Sequence, residues 1–194
     1  MNDTVLIVLV IVFIYIFLFL HRQNVIYIEA YNNTPYLVYK DDTVKEKANM
    51  LAKISENLIK LKQWLVANKN NYPEYATYID QLDRNFNENK TVIYETDPNS
   101  DLTSYSVNKG EELSFCLKSK KTGKLHDDNL LMYVAIHELA HIACPEIGHG
   151  ELFKKIFRKF AEEAIKCGVY IKEDFNENPT DYCGMVITSS ILVN

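Results

Sequence analysis

The stretch VAIHELAHIACPEIGHGELF, residues 134–153, decides how the rest of the chain is read. Three histidines fall within thirteen residues, and a glutamate directly follows the first. The apolar run LLMYVAI at 130–136 leads into the first histidine, and Pro145 interrupts the pattern after the second. This predicts a helix from about Asn129 to Cys144, capped by Asp127 or Asp128 and stopped by the proline, which cannot continue the hydrogen-bond ladder. Residues four apart on a helix share a face, so the His137 and His141 imidazoles can reach one ion. Zinc accepts nitrogen ligands at about 2.0–2.1 Å in a tetrahedral shell, and a catalytic site leaves one position open. Glu138, beside the pair, is placed to act as general base toward a zinc-activated water. From this chain's own His and Glu frequencies, such an HExxH pattern arises by accident in about one sequence in a hundred.

A third ligand is required. EIG at 146–148 turns the chain, and His149 arrives just before the next helix, so it is the expected third ligand to one Zn2+ per chain. Glu151 and Glu146 are the carboxylate alternatives, with Glu162 and Glu163 further along the following helix. Lesser candidates surround the motif. His126 precedes the helix cap and could line the cleft, Tyr182 or Tyr170 could steady an oxyanion, and a Cys144 thiolate could compete for the metal.

Working outward, VIYIEAYNNTPYLVYK at 25–40 reads as two short strands around an Asn-Asn-Thr-Pro turn. Residues 41–69 read as a helix of about seven turns, with Met50, Leu51, Ile54, Leu58, Leu61 and Leu65 on one face. A weaker helix is expected over Glu74 to Phe86, and TVIY at 91–94 sits between polar loops. SYSVNKGEELSFCLK at 104–118 reads as two strands about a Lys-Gly turn. A helix from about Gly150 to Lys166 follows, and the tail predicts a loop and one strand. The expected fold class is α+β, with helices packed on a small mixed sheet.

Residues 4–20, TVLIVLVIVFIYIFLFL, carry no charge. Seventeen helical residues rise about 25 Å, the short end of a bilayer span. The start MNDT and the bulky exit lack the features of a cleaved signal peptide. The expectation is therefore a single-pass anchor over 1–21, in contact with the lipid bilayer, and a second domain over 22–194. Arg22, Lys40, Lys45 and Lys47 follow the segment, which points the C-terminal domain to the cytosolic, or virion-interior, side. Cys116, Cys144, Cys167 and Cys183 are dispersed without a CxxC pair, which suits free thiols in a reducing compartment.

A formal charge of −5, with only KSKKTGK at 118–124 as a basic cluster, argues against nucleic-acid binding. The metzincin spacing is absent, because its third histidine position holds Ile147. HELAHIACPEIGHGELF instead resembles the active site of the WLM and SprT-like group of small zincins (minigluzincin-type peptidases), specifically over 125–160. It is also similar to membrane-anchored metallopeptidases of large DNA viruses. The resemblance implies a zincin-like metallopeptidase domain acting on protein or peptide substrates, with Glu112–Lys118 as the edge strand that aligns extended substrate. The extra nucleic-acid-binding parts of SprT-like proteins are not found here. The alternative expectation is a catalytically silent zinc-binding structural or interaction protein of a membrane or viral envelope.

Overall fold

The computed structural model describes residues 3–22 and 24–193. Two strands open the folded part, β1 (Val25–Glu29) and β2 (Pro35–Tyr39), paired antiparallel. Their turn is closed by the Asn32 side chain, which accepts from the Thr34 N–H at 3.1 Å, with Asn33 at φ 61°. Helix α2 (Val44–Ala67) buries Leu51, Ile54, Leu58, Leu61 and Leu65 of the predicted stripe and leaves Met50 partly buried at its margin. Two short 3-10 turns lead into α3 (Ala76–Asn85), whose Ile79 and Leu82 are fully buried. The next strands are β3 (Val92–Glu95), β4 (Tyr105–Val107) and β5 (Glu112–Phe115).

The five strands form one mixed sheet in the order β1-β2-β3-β5-β4. β2, β3 and β5 run parallel, and β1 and β4 flank them antiparallel. The expected α+β class with a mixed sheet is what forms. The substrate strand inferred over Glu112–Lys118 is corrected: β5 is enclosed between β3 and β4, so its backbone groups are already paired, and the edges are β4 and β1.

Helix α4 (Asp128–Ala143) runs through the centre. Leu130–Ile136, Leu139, Ala140, Ile142 and Ala143 are buried around its whole circumference, as expected of a helix that is apolar on every side. Helix α5 (Glu151–Lys166) is amphipathic instead, burying Phe153, Ile156, Phe157, Phe160, Ala161 and Ala164 against α4 and α2. The tail differs from expectation, forming two strands, β6 (Thr180–Tyr182) and β7 (Met185–Ile187), paired as a separate hairpin. Cys183 and Gly184 make its turn at φ 50° and 89°.

Helix α1 (Asp3–Arg22) forms over the apolar N-terminal segment, with residues 1 and 2 of the expected anchor outside the described residues. Among the described residues, no helix is long and apolar enough to cross a membrane. This overturns the single-pass anchor over 4–20 and the membrane localisation built on it.

Buried polar groups tie the layers together. The Lys47 ammonium, fully buried, pairs with Glu95 at 2.9 Å and Asp41 at 3.1 Å. On α5, Glu163 is fully buried and accepts from Trp64 Nε1 at 2.9 Å and Tyr72 Oη at 2.8 Å, with Lys166 and Lys159 at 2.7 and 3.1 Å. Burial alone would raise this carboxyl, but the Lys166 ammonium, the Trp64 and Tyr72 donors and Lys159 outweigh it and hold it at about 2. A folded pKa below the unfolded value stabilises above pH ~4.5, and that stabilisation is lost as pH falls toward 2. Glu163→Gln is therefore expected to be less stable than wild type by about 3 kcal/mol at pH 6. The gap should narrow toward pH 2, as urea denaturation of both proteins at several pH values would measure.

Candidate metal centre

The site is built from the end of one helix and the start of the next. Asp127 starts α4 by accepting from the Asn129 and Leu130 N–H groups, as a capping aspartate does. His137 and His141 then emerge one turn apart. Past Cys144 and Pro145 the chain reverses through Gly148, whose φ of 84° would strain any side-chain-bearing residue. Gly150 occupies the N-cap of α5, so His149 is delivered at the mouth of the new helix.

The three Nε2 atoms converge. His137 to His141 is 3.1 Å, His141 to His149 is 3.0 Å, and His149 to His137 is 3.1 Å. Three ring nitrogens that all face one another cannot satisfy every pair by hydrogen bonding, since at least two must carry the same protonation state. A cation at the centre removes the conflict. Zinc–nitrogen distances of about 2.0–2.1 Å in a tetrahedron place ligand atoms about 3.3 Å apart, close to the spacing found. The donor set fits a zinc ion.

The surroundings favour neutral imidazoles, the form that ligates. Burial, then the neighbouring histidines, lowers His137 to about 3; burial, His149 and Lys109 lower His141 to about 4. Phe153, itself buried, stacks on His141 at 4.1 Å and meets His137 and His149 edge-on at 4.9 Å each. One ring thus packs all three histidines. The sequence marks Phe153 as an inward residue of α5, but its contact with the three histidines depends on the tertiary turn.

Glu138 points off the same helix into a cleft of about 980 Å³ beside the histidines. Burial pushes its carboxyl up to about 7. The cleft is walled by β4, by the β6–β7 hairpin and by residues 188–191. Tyr133 anchors that last segment, its hydroxyl accepting from the Ile191 N–H at 3.0 Å.

Lys109 is a site residue that sequence reasoning missed. Its ammonium donates to the carbonyls of His141 (3.1 Å), Cys144 (2.7 Å) and Glu146 (3.1 Å). These are carbonyls at and just beyond the end of α4, where intrahelical donors run out. The β4–β5 turn presents Lys109 by running left-handed from Asn108 to Gly110, and a Cβ on Gly110 would lie 2.9 Å from the Asn85 carbonyl oxygen. If the three histidines hold an ion, Lys109→Met is expected to weaken its binding by about 10–100-fold through displacement of His141 and His149, without loss of helix content. Chelator-competition titration alongside circular dichroism would check it.

The other candidates sort clearly. Glu151 is exposed and paired with Lys154 at 2.8 Å. Glu146 lines the cleft. Glu162 lies 3.9 Å from Lys159, and Glu163 is engaged by Trp64 and Tyr72. Cys144 is a buried free thiol. The Tyr182 ring is buried and its hydroxyl shares a hydrogen bond with Ser104, while Tyr170 is buried behind Tyr133. His126 joins a different group, with Cys116 and Cys183. Those two cysteines form a disulfide with Cα atoms 6.3 Å apart, which corrects the expectation of four free thiols. Their separation of 67 residues carries no spacing signal, so only the fold pairs them.

Fold and site together define an α+β domain whose central helix and following turn bring three histidines and a buried glutamate to one cleft. The chain belongs to the family of uncharacterized protein R325 of Acanthamoeba polyphaga mimivirus, with 42% identity over 160 residues covering 82% of this chain and 80% of that protein. It is also similar to uncharacterized protein 136R of Invertebrate iridescent virus 6, at 33% over 84 residues. Uncharacterized protein 042R of Invertebrate iridescent virus 3 matches at 35% over 86 residues. These two matches cover 47% and 52% of their respective proteins and under half of this chain. No family model matches the chain, and no solved structure matches it.

Proposed function

We propose that this protein is a zinc-dependent metallopeptidase. The observation that carries the reading is the mutual approach of three Nε2 atoms to 3.0–3.1 Å, with Glu138 buried beside them in an open cleft. The resemblance of residues 125–160 to WLM and SprT-like active sites supports the same reading. His137, His141 and His149 would hold the ion. When bound, zinc would supply a Lewis acid that polarises the scissile carbonyl and makes water more acidic. Glu138 takes the proton from the attacking water and returns it to the departing amine.

Substrate alignment falls to β4. It is the edge strand on the cleft side of the sheet, and Tyr105 and Ser106 line the cleft, so an extended peptide can add to its free side by backbone pairing. Tyr133, Val134, Phe157 and Ile187 give the cleft an apolar wall suited to hydrophobic side chains near the scissile bond.

The test is zinc stoichiometry together with cleavage of a mixed peptide library. Wild type is expected to hold close to one zinc at this site and to cleave, with chelation abolishing and zinc restoring turnover. His149→Ala should lose the ion. Full zinc retention in that variant would remove His149 from the ligand set. Zinc binding with no cleavage of any peptide would favour the catalytically silent alternative.

A further inference from the structure

A second cluster of metal-ligating side chains lies outside the cleft. Cys116 follows β5, His126 directly precedes the cap of α4, and Cys183 sits in the turn of the β6–β7 hairpin. All three are buried, at 5%, 9% and 4% exposure, and their donor atoms lie within 4.8 Å of one another. We propose that Cys116, His126 and Cys183 form a redox-gated metal site, a disulfide in the oxidised chain and a two-thiolate, one-imidazole ligand set for zinc in the reduced chain.

The histidine is the feature that a simple staple does not require. Its Nε2 accepts the Cys183 N–H at 3.3 Å, which makes it the unprotonated nitrogen, and it lies 3.4 Å from Cys183 Sγ. Burial holds the ring below the ordinary histidine pKa, so it stays neutral. Zinc–sulfur and zinc–nitrogen bonds of about 2.3 and 2.0–2.1 Å place such ligand atoms about 3.6 Å apart in a tetrahedron, close to the contact found. The Lys118 carbonyl oxygen, 3.3 Å from Cys116 Sγ and 3.4 Å from Cys183 Sγ, is a further donor at the same point.

The chemistry balances with a dithiol as reductant. It passes two electrons and two protons to the Cys116–Cys183 bond and leaves as its own disulfide; zinc then displaces the two thiol protons. The sulfurs would move to about 3.8 Å apart, the separation of two thiolates on one zinc. The three-residue strands of the hairpin, paired only with each other, permit that movement. Either state joins the same three elements, so the hairpin wall of the cleft is held under oxidising and reducing conditions alike.

This inference does not rest on the peptidase reading, and its test separates the two. The full chain carrying His137→Ala and His141→Ala, which removes the first ligand set, is compared oxidised and after anaerobic reduction with a phosphine followed by desalting. Zinc per chain should rise from near zero to near one on reduction. Cobalt substitution should then give a sulfur-to-cobalt charge-transfer absorption, absent after Cys183→Ser. If the double variant fails to fold, the wild-type chain serves, its zinc content rising by one on reduction. No gain of zinc on reduction, or cobalt bound without the thiolate absorption, would overturn the proposal and leave the disulfide as a staple.

Discussion

Glu138→Gln is expected to keep one zinc at the three-histidine site while peptide hydrolysis falls by about 10²–10⁴-fold, the usual contribution of a positioned general base. Glutamine fills nearly the same volume, so the buried position beside His137 is not disrupted, and the three Nε2 atoms that define the site belong to other residues. The loss should fall on kcat rather than KM, because the carboxylate acts on the attacking water and not on substrate binding. Steady-state kinetics on a cleaved peptide, with metal analysis of the same sample, reads both quantities. Undiminished hydrolysis by the zinc-loaded variant would sink the mechanism.

The second large effect concerns stability. The Cys116–Cys183 bond closes a loop of 67 residues, for which chain entropy predicts about 4 kcal/mol. Under oxidising, metal-free conditions the Cys116→Ser, Cys183→Ser double variant should therefore unfold about 10 °C or more below wild type. The loss should be felt first at the β6–β7 hairpin, which is otherwise joined by contacts such as Ser119 to Asp181 at 2.7 Å and Ser104 to Tyr182. Calorimetry of both proteins, with hydrogen exchange over residues 180–187, would check the size and the place. An unchanged melting temperature would mean that packing alone holds the hairpin.

Much of the architecture is legible in local patterns. Leu51, Ile54, Leu58, Leu61 and Leu65 mark α2 by helical spacing, and the Asn-Asn-Thr-Pro turn marks the β1–β2 hairpin. Asp127 and Pro145 bracket α4 closely because capping and proline termination are short-range effects. The same locality serves the site. His137 and His141 share a face by helix geometry, and a breaker followed by glycines returns His149 toward them.

What the sequence by itself determined is thus the elements up to the tail, the α+β class and the histidine cluster with its neighbouring glutamate, all governed by contacts a few residues apart. Strand order belongs to the tertiary structure: β5 precedes α4 in the chain, yet β4 takes the edge because the hairpin folds outward from β3. So does the Lys109 clamp, which spans 32 to 37 residues to reach the end of α4. The Cys116–Cys183 pairing arises the same way, through the docking of a tail hairpin that local pattern read as one strand. The N-terminal segment is the reverse case. Its uncharged run suggested a membrane span, but among the described residues no helix is long and apolar enough to cross a membrane. Periodicity and capping act within a turn or two of helix, whereas edges, clamps and cross-links depend on which distant surfaces exclude water together.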